Sequence, residues 1–121
     1  MISVALMMAA VVGAEPPTLQ TADYAQRYNR AEWLSAYPPE AKEARLSGKA
    51  SLLCHVAQTG WLVDCRIESE EPAGQGFGQA LIKIAHRNQL KPEAARAYGP
   101  ESWVRYEGRF DQFNLADRKS V

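Results

Sequence analysis

Two cysteines, Cys54 and Cys65, and two histidines, His55 and His86, are the residues in this 121-residue chain that would first be considered for binding a metal or attacking a substrate. Their spacings match no ligand pattern, and there is no C-x-x-C. Cys54 and His55 are adjacent, so on an extended segment they leave opposite faces and do not close on one ion. No metal centre is expected. Glu68, Glu70 and Glu71 crowd together, yet acid and base chemistry needs a second carboxylate facing them, and none can be placed. They read as a solvated strand end. Gly74, Gly76 and Gly78 imitate part of a phosphate-cradling loop ahead of a helical pattern. A dinucleotide loop, however, opens a parallel βαβ unit with an acidic ribose partner further on, and here Glu70 and Glu71 would repel phosphate. The glycines read instead as a strand-to-helix connection that lets Phe77 turn inward. Trp33, Trp61 and Trp103 with Tyr106 offer stacking surfaces, but in a small domain such rings serve core and rim. Without a nucleophile, base and orienter, the expectation is a protein that is not an enzyme and carries no cofactor.

The elements that must position these residues follow from periodicity. Across residues 49–57, Ala50, Leu52, Cys54 and Val56 share one face, with Ser51, Leu53 and His55 on the other. Across 61–69, Val63, Cys65 and Ile67 oppose Asp64, Arg66 and Glu68. Period-two alternation on both sides of Gln58-Thr59-Gly60 predicts a β-hairpin with positive φ at the glycine. A register pairing Val56 with Val63, Cys54 with Cys65 and Leu52 with Ile67 brings the apolar residues to one face and sets the two sulfurs opposite each other. Phe77, Ala80, Leu81, Ile84, Ala85 and Asn88 then recur every three or four positions, predicting a helix that ends near Leu90, before Pro92. Burying Phe77, Leu81 and Ile84 on the hairpin contributes about 1.5–3 kcal/mol each before entropy is counted. After a looser stretch around Tyr98-Gly99-Pro100, Val104, Tyr106 and Phe110 alternate with Arg105, Glu107, Arg109 and Asp111. That predicts a third strand over 102–112 with a break or close approach at Gly108. If the long helix carries the chain back, this strand pairs antiparallel with the first and becomes a sheet edge. Upstream, Ala22, Tyr24, Ala25, Tyr28, Ala31 and Trp33 recur at loose helical spacing over 22–34. Pro38-Pro39 opens a second short helix, with Ala41, Ala44 and Leu46 as its buried stripe and Gly48 at its end.

Charge is balanced at 14 basic and 14 acidic residues, which gives no general attraction to nucleic acid or anionic lipid. The length allows one domain. Residues 1–14 hold only Ser3 and Gly13 outside the apolar set. As a helix they would span about 21 Å, short of a ~30 Å hydrocarbon core. Val12-Gly13-Ala14 before Glu15-Pro16-Pro17 fits a cleavage site, so 1–14 is expected to be a secretory signal peptide and no membrane span; an apolar helix packed on the domain is the alternative. Residues 15–21 read as a lead that packs against nothing, within a linker and short N-terminal helix over 15–36, and 114–121 as a disordered tail. Export places the chain in an oxidising compartment, which with an even cysteine count favours a Cys54–Cys65 disulfide over two buried thiols. Closing so short a loop adds ~2–3 kcal/mol.

In order along the chain come Tyr37-Pro38 with Ala41 before Gly48, the hairpin with Cys54, Val56, Gly60 and Asp64-Cys65, and Ser69-Glu70 with Pro72. Gly74, Gly76-Phe77-Gly78 and Leu90-Lys91-Pro92 follow. Together these resemble the TonB C-terminal domain family, the periplasmic end of energy transducers in Gram-negative envelopes. The resemblance covers residues 37 to about 112, and the cysteine pair with Gly76-Phe77-Gly78 looks like a subgroup of that family in which two cysteines face each other. Arg109-Phe110 resembles the family's ending, with Gly108 interrupting it. The resemblance implies an α+β domain over 37–113, in the order α-β-β-α-β, with a small three-stranded antiparallel sheet packed by helices. It also implies that an extended peptide from an outer-membrane receptor pairs with the last strand. Here that strand carries Trp103, Val104, Arg105, Tyr106, Arg109 and Phe110, with Arg105, Tyr106 and Arg109 selecting side chains. Family transducers have a membrane helix and a long proline-rich spacer, whereas a linker of ~20 residues reaches only ~25 Å. The expectation is therefore an exported periplasmic module that binds a protein or peptide partner. The alternatives are the C-terminal part of an energy transducer whose start lies upstream, and a small periplasmic ligand binder or enzyme.

Overall fold

The computed structural model describes residues 15–99 and 102–111; the expected signal peptide and tail lie outside the described residues. A 3-10 turn, Thr21–Asp23, precedes β1 (Tyr24–Gln26), α1 (Arg30–Ala36) and α2 (Pro39–Glu43). The hairpin strands β2 (Gly48–Val56) and β3 (Leu62–Glu71) follow. Then come α3 (Phe77–Ala85), β4 (Gln89–Leu90), α4 (Pro92–Tyr98) and β5 (Trp103–Phe110). The main sheet is antiparallel in the order β3-β2-β5, so the fold is α+β with a three-stranded antiparallel sheet packed by helices, as the sequence implied. β1 and β4 form a separate two-stranded ladder.

Alternation along β2 and β5 turns Leu52, Cys54, Val56, Val104, Tyr106 and Phe110 into one core face. Across it lies α3, whose Phe77, Leu81 and Ile84 are buried as their spacing requires. Phe110 stacks on Trp33 at 5.5 Å between ring centroids and meets Tyr37 edge-on at 5.3 Å, so α1 is welded to the end of β5. Gly108 sits where β5 passes under Leu81: a Cβ there would collide with the leucine Cδ1, which is the close approach the sequence signalled. Gly60 has φ 92 in the hairpin turn, as expected, and a side chain there would also press on the Leu90 carbonyl.

Several local expectations give way. β3 breaks register with β2 between Leu53 and His55, where Asp64 has φ 52 and inserts one extra residue. Beyond that bulge Leu62 rather than Val63 opposes Val56 and is buried. Nor do all apolar residues share the core face: Val63 pairs with His55 on the other side, while Ile67 lies opposite Leu52 as expected, at the rim of the core against Gly78 of α3, and is 36% exposed. The helix expected over 22–34 forms only from Arg30, because Asn29 caps it reciprocally: Asn29 Oδ1 accepts the Glu32 N–H and Glu32 Oε1 accepts the Asn29 N–H, both at 2.8 Å. Tyr24 lies in β1 instead, opposite Leu90. α2 stops before Gly48, at Arg45 with φ 57, where Leu46 N–H reaches the Ala41 carbonyl and Arg45 N–H the Lys42 carbonyl. Ala44 is consequently exposed. α3 ends at Ala85, not near Leu90, and the looser stretch after it is α4, opened by Pro92 and closed at Gly99 with φ 94.

The lead also departs from expectation. Leu19, placed in a segment that should pack against nothing, is 9% exposed and belongs to the core.

Candidate functional site

β5 pairs with β2 without a register break from Gly48↔Phe110 to His55↔Trp103, so its backbone groups alternate strictly between β2 and the outer side of the sheet. Arg105 faces outward: its N–H donates to the Pro17 carbonyl at 2.8 Å and its C=O accepts the Leu19 N–H at 2.9 Å. By the same alternation Glu107 and Arg109 turn their N–H and C=O groups outward. Among the described residues, the parallel bridge between Thr18 and Arg105 is the one pairing on that side. An unpaired row of main-chain donors and acceptors on a straight strand is a template for another extended chain.

Side chains on the outer face run across the sheet in rows. Arg109, Lys49 and Glu71 form one; Arg105, Leu53 and Arg66 form another. Between them Glu68 accepts from Arg105 Nε at 2.7 Å, Arg105 Nη2 at 2.9 Å and Ser51 Oγ at 2.7 Å. The bidentate Arg105 bonds first, and the Ser51 hydroxyl second, push the Glu68 carboxyl down to about 2. Glu68 in turn holds the Arg105 guanidinium above its ordinary value. Thus anchored, Arg105 donates from Nη1 to the Pro16 carbonyl at 3.1 Å. At the start of the strand, Trp103 lies against His55 at 3.7 Å between centroids, with the Arg66 guanidinium 5.1 Å from its ring centroid.

The residues singled out on this strand divide by face. Trp103, Arg105 and Arg109 lie on the outer face, whereas Val104, Tyr106 and Phe110 are buried beneath it. Tyr106 accepts a bond from buried Asn88 Nδ2 at 3.1 Å, and burial raises its phenol far above the usual range. Its side chain therefore holds the strand to the core and is out of reach for selecting a partner's side chain. Cys54 and Cys65 form a disulfide that ties β2 to β3 on the core face, and Cys54 lies opposite the buried Val104 of β5, on the face turned away from Arg105 and Arg109. The two histidines are apart: His55 is beside Trp103 with Asp64 3.8 Å away, and His86 Nδ1 lies 3.2 Å from the Leu62 carbonyl. Among the described residues, no three of His, Cys, Asp and Glu gather as a metal site, and no helix is long and apolar enough to cross a membrane.

Sequence reasoning missed Glu68, Ser51 and the lead. Glu68 reads from the sequence as part of a solvated strand end on the outward phase, but it is the extra residue at the β3 register break between Ser51 and Leu52, and there its carboxylate meets both Ser51 and Arg105. The available signal was an acidic residue and an arginine on the outward phase of two strands flanking the same central one.

No family model matches the chain, and no curated protein matches it in sequence. Among solved structures it is similar to the solution NMR structure of the Pseudomonas aeruginosa TonB CTD, with a TM-score of 0.49 and 14% identity over 80% of this chain and 92% of that one.

Proposed function

We propose that this chain is an exported, non-enzymatic domain of the cell envelope that binds a protein partner by taking up an extended segment along β5. One observation carries the reading: the straight outer side of β5 already accepts an extended segment at Arg105 and presents unpaired main-chain groups at Glu107 and Arg109 among the described residues. Main-chain bonds supply affinity, Arg105 and Arg109 meet the partner's side chains on the outer face, and Trp103 marks the strand's beginning. Val104, Tyr106 and Phe110 serve by anchoring the strand in the core. The Cys54–Cys65 bond supports an oxidising compartment such as the periplasm. A signal peptide at 1–14, a binding domain over 37–113, membership of the cysteine-paired TonB-like subgroup, and an outer-membrane receptor as the partner belong to the same proposal.

The test is photocrosslinking in living cells from a photoreactive residue in place of Arg109, compared with one in place of Arg66. The proposal expects position 109 to capture an extended segment of an envelope protein and position 66 to capture little. Capture from position 66 alone would move the interface to the other side of the sheet and overturn it.

A further inference from the structure

The segment seated on β5 is a short sample of what that strand accepts. It runs parallel to β5, bonds both main-chain groups of Arg105, lays Thr18 Oγ1 3.5 Å from Arg105 Nη1, and buries Leu19 on the core side. We propose that the Arg105 position is a docking station for an extended partner segment, parallel to β5, that carries a proline and, two residues later, a large aliphatic residue, and that Pro17-Thr18-Leu19 occupies it in cis until such a segment exchanges with it. This rests on the reading of β5 as a strand-accepting edge.

The lead fits the station well and extends poorly from it. Proline 17 has an extended φ already set, which lowers the ordering cost, and its carbonyl is the acceptor that Arg105 N–H needs. It has no N–H, however, so the ladder cannot grow toward Trp103. In the other direction the chain turns away at once: Asp23 N–H bonds the Gln20 carbonyl at 3.0 Å as the 3-10 turn begins. Glu107 and Arg109 are therefore beyond the lead's reach. A segment that matches Pro17 to Leu19 and stays extended gains those further main-chain bonds. Against it stands the high effective concentration of a tethered competitor, which lowers the partner's apparent affinity by the fraction of stations already filled.

The probe is a synthetic peptide that repeats residues 15–19 and continues with alternating threonine and valine, titrated into the full, oxidised chain and followed by backbone-amide NMR. Three chains are compared: wild type, Leu19→Pro, which loses both the N–H that reaches Arg105 and the buried side chain, and Leu19→Ala, which keeps the N–H. The expected result is binding about tenfold tighter to Leu19→Pro than to wild type, an intermediate gain for Leu19→Ala, and movement of the Thr18 and Leu19 resonances when wild type is saturated. Equal affinity for all three chains, with shifts confined to 107–109, overturns the exchange while leaving the strand-accepting edge in place. A peptide with aspartate at the leucine position that binds as tightly overturns the stated pattern. Absence of shifts along β5 in every chain overturns the exchange and the edge together.

Discussion

β3 and β5 both border the sheet, but β3 breaks register with β2 twice and carries a left-handed residue at Asp64, whereas β5 keeps one register throughout. Both strands carry charge, from Asp64, Arg66 and Glu68 on β3 to Arg105, Glu107 and Arg109 on β5, so charge does not distinguish them. Bulges spoil an edge permanently, because they misalign the donors and acceptors that a visiting strand must meet. β5 has neither bulge, and the cover it has among the described residues is two main-chain bonds from residues 17–19. An edge shielded by a removable segment is compatible with binding; an edge distorted in its own backbone is not. The contrast extends to how each strand is held. β3 is joined covalently to β2 through the disulfide, while β5 relies on Val104, Tyr106 and Phe110 packed beneath it.

That division predicts a graded set of outcomes. Phe110→Ala removes the ring that meets Trp33, Tyr37 and Phe77, and should cost ~3–5 kcal/mol in urea unfolding; a loss below ~1 kcal/mol would show that β5 is not core-anchored. On the β3 side, the double replacement Cys54→Ala with Cys65→Ala should cost ~2–3 kcal/mol in the same measurement, chiefly by freeing the unfolded chain. Gly108→Val forces a side chain into Leu81 and should cost ~1–3 kcal/mol, with the amides of 107–109 shifted.

The Glu68 carboxyl gives a pH test. Its folded value lies below the ordinary carboxylate value of 4.5, so its contribution to stability is present above that value and is lost as pH falls toward about 2. Acid unfolding curves of wild type and Glu68→Gln should therefore differ in slope between pH 4.5 and 2, with the flatter curve belonging to the variant. Parallel curves would detach Glu68 from Arg105. The smallest effect is expected on the exposed part of β3, where Ile67→Ala should cost under ~1 kcal/mol because the side chain is 36% exposed.

The core face of α3, the facing cysteines and the close approach at Gly108 were legible because each is written in local alternation or spacing, and the sheet order because the helix between the hairpin and the last strand carries the chain back. The β3 bulge was not, since Trp61-Leu62-Val63 is apolar at every position and either Leu62 or Val63 satisfies a two-residue period. β1 and β4 are too short to carry a pattern, and Tyr24 finds Leu90 only once the chain has closed over a long loop. α4 had its proline and glycine stops in view, but the helix before it was extended through the residues that form β4. At the site, β5 was identifiable as an edge from connectivity alone. Its cover was not, because Pro16-Pro17 carries the composition of a linker, and nothing near Arg105 in sequence announces that its guanidinium and backbone receive those carbonyls.

The most direct test of β5 as the accepting edge is amide hydrogen exchange at single-residue resolution, with and without a bound extended peptide of alternating threonine and valine. The account predicts that protection at Glu107 and Arg109 rises at least about tenfold on binding, while residues 63–70 of β3 are unchanged. Protection that rises along β3, or binding that leaves Glu107 and Arg109 exchanging as in the free protein, would contradict it.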